Sequence, residues 1–110
     1  MTVHTSVYTK SVLQLSRLVE LYGKKQVSNA TAQTINKLID DEIGQARIHL
    51  RETERDLAAY EKKFGMTSEE FFKKYQAGQT DDSMETIEWA SLTQMADRIR
   101  QRLNFLSAEN

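Results

Sequence analysis

Apolar side chains recur through the middle of the chain at Ile39, Ile43, Ala46, Leu50, Leu57, Tyr60 and Phe64, with Thr53 in step among them. From Ile43 onward the intervals are 3, 4, 3, 4, 3, 4, which is a heptad seam. The spacing predicts one helix over about residues 30–64, some ~50 Å long at 1.5 Å per residue. Ser28, Asn29 and Thr31 are all suitable N-caps, and Gly65 supplies a left-handed stop. The outward run RETERD sets Arg51 with Glu54 and Glu52 with Arg55 three apart, pairs that support an exposed helix by roughly 0.2–0.5 kcal/mol each. A lone helix of this kind cannot bury its own stripe, so another element must pack along it.

A second seam runs Leu92, Ala96, Ile99, Leu103, Leu106 at intervals of 4, 3, 4, 3 and predicts a helix over about 83–107, with Asp82 and Glu85 in the spacing of a cap. Between the two seams, Thr67 and Glu70 have capping-box spacing, and Met66 with Phe71 has that of a hydrophobic staple. A short helix over 68–76 follows, stopped by Gly78 and joined onward by the polar loop GQTDDS. Two long helices joined by a compact helical elbow fold back antiparallel. The expected fold is therefore all-α: a long, coiled-coil-like antiparallel helical hairpin over residues 30–110, with a short helical elbow and an N-terminal helix.

The N-terminal segment, residues 1–29, is less regular. Val12, Leu15, Leu18, Val19 and Tyr22 share a face, which predicts a helix over about 8–22 with Gly23 as its stop. The β-prone TVHTSVYT before it reads as a short strand or as a disordered tail. Charge sets this end apart from the rest: residues 1–37 carry five bases (Lys10, Arg17, Lys24, Lys25, Lys37) against Glu20, whereas the remainder carries ten bases and fifteen acids. A basic head on an acidic body suits two different partners.

Composition narrows the chemistry. The 110 residues include no proline, so nothing interrupts long helices, and no cysteine, which excludes disulfides and thiolate metal sites. No run reaches the ~18 apolar residues of a membrane span, and the N-terminus lacks a secretory pattern, so a cytoplasmic chain is the expectation. His49 has no second histidine facing it, and His4 lies at the chain's start, so no metal site is expected. No nucleophile–base–orienter set is present, and the adjacent carboxylates Asp40, Asp41 and Glu42 diverge by about 100° per residue on a helix. The four glycines are isolated and form no phosphate loop. An enzyme or a cofactor is not expected.

Nucleic acid enters as an alternative. A β-prone segment, a helix, a turn and a second helix follow the element order of ribbon-helix-helix repressors, with Lys10, Arg17, Lys24 and Lys25 as candidate phosphate contacts. Residues 2–8, however, hold only His4 with which to read a base edge. This alternative is a dimeric DNA-binding transcriptional regulator.

The stretch FGMTSEEFFKKYQAG gathers four rings and a methionine within residues 64–78. Phe71 and Phe72, as neighbours on a helix, point about 100° apart and cannot both fill one groove. Two readings of Phe64, Met66, Phe71, Phe72, Tyr75 and Trp89 stand side by side: a hydrophobic plug at the end of the hairpin, or a cluster left partly open as the anchor for a protein partner.

Residues 57–103 also carry a pattern made up of Glu61, Lys63-Phe64-Gly65-Met66, Thr67-Ser68, Glu70-Phe71-Phe72, Ala77-Gly78, Asp81-Asp82 and Glu88-Trp89. In these positions the chain resembles small helical antitoxin-like proteins encoded beside toxins in prokaryotic toxin–antitoxin operons. The resemblance implies a protein that neutralises a cognate toxin, a nuclease or nucleotide-transferring enzyme, by binding over it. It also implies a homodimer that autorepresses its operon by binding operator DNA.

Overall fold

The computed structural model describes residues 3–107, with side chains from Ser11 onward. Four helices follow one another: α1 (Val3–Gly23), α2 (Asn29–Phe64), α3 (Ser68–Gln76) and α4 (Met84–Ser107), with no strand among the described residues. The all-α hairpin expected from the two seams is the fold observed. The chain divides into two compact units, residues 1–38 and 39–110.

In the larger unit, α2 and α4 pack antiparallel. Lys63, near the end of α2, pairs with Glu85 at the start of α4, while Glu54 in mid-helix takes Arg100 Nη2 at 3.1 Å. Glu54 thus finds its cation across the hairpin rather than at Arg51 on its own helix. Both seams contribute buried residues, Ala46, Thr53 and Leu57 from α2 and Ala96 and Ile99 from α4, while Trp89 and Ala90 from α4 and Phe71 from α3 are buried from outside the seams. Thr53 is accommodated because its hydroxyl donates to its own helix, at His49 O 2.8 Å away, and also lies 3.8 Å from Met95 Sδ.

The elbow is fixed by caps. Gly65 (φ 65°) closes α2 with its N–H on Glu61 O at 2.9 Å. Thr67 caps α3, its hydroxyl accepting from Glu70 N at 3.1 Å. At the far end, Gly78 (φ 72°) donates to Tyr75 O and Gln79 donates to Lys74 O, a Schellman closure. The start of α4 differs from expectation. Its cap is Ser83, whose Oγ accepts from Thr86 N at 3.2 Å, and not Asp82. Asp81 completes that turn by accepting from Ser83 N at 3.0 Å and from the Thr86 hydroxyl at 2.7 Å.

In the smaller unit two expectations need correction. From Val3 onward, where the described residues begin, the β-prone start is neither strand nor tail, because α1 already runs from there. The alternation there is weak and no strand among the described residues offers a pairing edge, so local hydrogen bonding of the helix prevails over β-propensity. Nor does Gly23 stop the helix. It is the last helical residue, and the left-handed position falls on Lys25 (φ 61°), with Lys25 N on Tyr22 O at 3.0 Å and Gln26 N on Leu21 O at 2.8 Å. Ser28 then caps α2, accepting from Thr31 N at 3.1 Å. Tyr22 donates to Asn36 Oδ1 at 2.6 Å and ties the two helices together. Leu18, Val27 and Ile35 are half-buried, but no described side chain of residues 11–38 is fully buried.

Candidate functional site

Trp89 is the centre of the elbow. It is 2 % exposed, and its indole stacks on Phe71 with centroids 3.9 Å apart and planes at 4°. Phe64 and Tyr60, one turn apart on α2, lie at 5.4 and 5.6 Å from the same ring, nearly parallel to it. The indole N–H donates to Ser68 Oγ at 2.9 Å, and Ser68 N donates to Glu61 Oε2 at 2.7 Å. A carboxylate from the end of α2 therefore satisfies the first N–H of α3, where the helix dipole favours negative charge, and the serine it holds satisfies the buried indole of α4. Three helices are linked by two hydrogen bonds. Nothing in the local sequence marks Glu61 or Ser68 for these roles, because each acts on a partner outside its own helix.

The six aromatic and methionine positions singled out from sequence separate into two groups. Phe71 and Trp89 are buried, so a partner cannot touch them while the elbow is closed. Met66, Phe72 and Tyr75 are half-buried against the core, and Phe64 is 43 % exposed with the Lys63 ammonium 5.4 Å from its ring centre. Phe72 and Tyr75 lie with ring centroids 6.0 Å apart. Partial burial, then the Glu88 carboxylate at its hydroxyl, with Glu85 and Asp56 adding to it, hold the Tyr60 phenol above its ordinary pKa.

Phe72 borders a groove of about 580 Å³ formed by α2, α3 and α4. Leu57 and Phe72 provide its apolar surface, and Glu61, Glu69, Lys73, Asp97 and Arg100 its charges. A smaller recess of about 350 Å³ opens between α2 and α4, lined by Glu42, His49, Glu52 and Arg102 among others. Among the described residues no three or more His, Cys, Asp or Glu side chains converge to hold a metal ion.

The candidate phosphate contacts lie apart from this site along the sequence. Arg17 is exposed on α1, Lys24 is 3.9 Å from Glu20, and Lys25 occupies the left-handed turn. The side chain of Lys10 lies outside the described residues. The strand with which a ribbon-helix-helix protein reads the major groove is replaced by α1. Among the described residues no helix is long and apolar enough to cross a membrane.

Comparison with protein-family models, with curated proteins and with solved structures finds no match to this chain.

Proposed function

We propose that the chain is an antitoxin-like protein that binds and neutralises a cognate toxin encoded beside it, a nuclease or nucleotide-transferring enzyme, through the aromatic elbow. The observation that supports this most directly is the half-buried Phe72, stacked with Tyr75 and lining an acid-rich groove. Aromatic side chains in a preformed setting dominate many protein interfaces, and with two side-chain torsions they lose little conformational entropy when covered. An acidic surface also suits a basic, nucleic-acid-handling partner. The resemblance carried by residues 57–103 supplies the class of that partner. Co-expression with the neighbouring gene product, followed by pull-down and a growth-rescue assay, tests the reading. A stable complex with rescue is the expected result, and the absence of both overturns it.

The proposed active form is a homodimer. Val12, Leu15 and Val19 recur at intervals of 3 and 4 and are 57–60 % exposed. A second copy presents the identical stripe at matching intervals, while Arg17 projects from the opposite side of α1 at 100° per residue and so does not oppose its like charge. Light scattering is expected to give twice the chain mass for the native protein and one chain mass for Leu15→Glu. A native monomer at high concentration ends this part of the proposal. No observation favours operator binding as a separate function.

A further inference from the structure

We infer that the groove between α3 and the hairpin receives one kind of segment: an apolar anchor side chain flanked by lysine or arginine, presented by a basic protein. The inference deepens the function proposed above and rests on it only for the identity of that protein. Leu57, buried, and Phe72, half-buried, form an apolar floor inside a cavity of about 580 Å³, a size that lies within the usual ~300–1,000 Å³ of binding clefts.

The two cations of the lining are already answered. Arg100 is held by Glu54 at 3.1 Å and Lys73 lies 3.8 Å from Glu69. The acids are not balanced in return. Glu61 gives one oxygen to Ser68 N, and Asp97 has only the Gln101 amide in loose contact at 3.4 Å. The lining therefore holds a surplus of negative charge, with Glu61, Glu69 and Asp97 set against Lys73 and Arg100. An anionic ligand meets no uncommitted cation there. A purely apolar segment covers Asp97 and leaves a desolvated carboxylate without a partner, which is costly. A basic flank turns that penalty into complementarity while its neighbour covers Leu57 and Phe72. Gln76 and Gln94, also in the lining, each donate and accept hydrogen bonds and so suit the main chain of a docked segment.

Two synthetic helical peptides test this on the full-length chain: one with a leucine stripe flanked by lysines, the other identical but flanked by glutamates. In amide NMR titrations the lysine peptide is expected to shift Phe72, Gln76, Gln94 and Asp97 and to weaken as salt is raised, and the glutamate peptide is expected to leave them unmoved. Asp97→Lys, an exposed change whose folding is checked by thermal denaturation, is expected to weaken the lysine peptide about tenfold or more, a loss of at least ~1.4 kcal/mol, and to admit the glutamate peptide. Equal shifts from both peptides, or shifts confined to other surfaces, overturn the inference.

The neighbouring gene product supplies the second arm. If it forms a complex that Asp97→Lys and Phe72→Ala leave unchanged, the groove assignment is wrong and the antitoxin-like reading survives. If no variant binds it while the lysine peptide still selects the groove, the antitoxin-like reading falls and the groove assignment stands.

Discussion

Residues 89–99 of α4 and residues 12–19 of α1 place apolar side chains at the same heptad intervals, yet they reach opposite environments. Trp89, Ala96 and Ile99 are sealed between helices, whereas Val12, Leu15 and Val19 remain more than half exposed. Heptad spacing specifies a face and leaves open what covers it. Along α4 the cover is written into the same chain: α2 carries the facing seam, and Gly65, Thr67, Gly78 and Ser83 turn the backbone so that the seams meet. Along α1 no described residue closes over Val12, Leu15 and Val19, so the roughly 1.5–3 kcal/mol that burying each such side chain supplies is not realised within the chain. One stretch of the chain is thus covered from within, and the other is not.

The contrast can be broken most directly by truncation. Trp89→Ala removes a ring stacked on three others and leaves Ser68 without its indole donor, with an expected loss of about 3–5 kcal/mol in urea unfolding. Leu15→Ala, measured at concentrations where the chain is monomeric, is expected to change stability by no more than ~0.5 kcal/mol. A loss at Leu15 as large as that at Trp89 would show that the α1 stripe is already covered.

Within the elbow the same contrast sharpens. Phe71→Ala is expected to cost about 3–5 kcal/mol because its ring lies in the core. Phe72→Ala is expected to cost less in stability and more in partner affinity, as read by denaturation and by calorimetric titration. Equal thermal losses with unchanged affinity would assign both rings to packing alone.

Smaller effects come from the helix ends. Gly78→Ala forces a side chain into the left-handed region, at an expected cost of about 1 kcal/mol, although open space surrounds the new Cβ. Lys25→Gly relieves the same conformation in the smaller unit and is expected to stabilise it by about 0.5–1 kcal/mol. Amide exchange resolves the two sites separately, and a destabilising Lys25→Gly would contradict the observed turn.

The smallest effect is pH-dependent. Hydrogen bonds from the Thr86 hydroxyl, then from Ser83, hold the Asp81 carboxyl below its ordinary pKa. Because the folded value is the lower one, the stabilisation is present above the ordinary carboxylate range and is lost as the pH falls through and below it. Asp81→Asn keeps an acceptor oxygen but no titration, so it is expected to flatten the acid limb of the melting curve slightly. An unaltered acid limb refutes this role for Asp81.

Much of the architecture was readable because its signals are local. The intervals from Ile43 to Phe64, the Thr67–Glu70 box, and the glycines at 65 and 78 each act within a few residues of themselves, and the helices fall where those signals put them. What sequence missed depends on neighbours remote in the chain. Glu54 reaches Arg100, Glu61 reaches Ser68, and Ser68 reaches Trp89. Lys25 occupies a turn that propensity assigns to glycine, and Ser83 displaces Asp82 because Asp81 serves the turn from beneath. Phe72 was legible as a site candidate, whereas the groove beside it was not. Its lining is drawn from three helices whose alignment exists only after folding.

The chain has a single tryptophan, and it is the one locked at the centre of the ring stack. Its emission is therefore an intrinsic optical reporter for residues 39–110. Loosening of the stack would admit water to the indole and shift the spectrum to the red, while fraying of α1 would pass unseen. Paired with far-ultraviolet circular dichroism, which registers all four helices, that one fluorophore separates opening of the bend from melting of the amino-terminal arm without any added label.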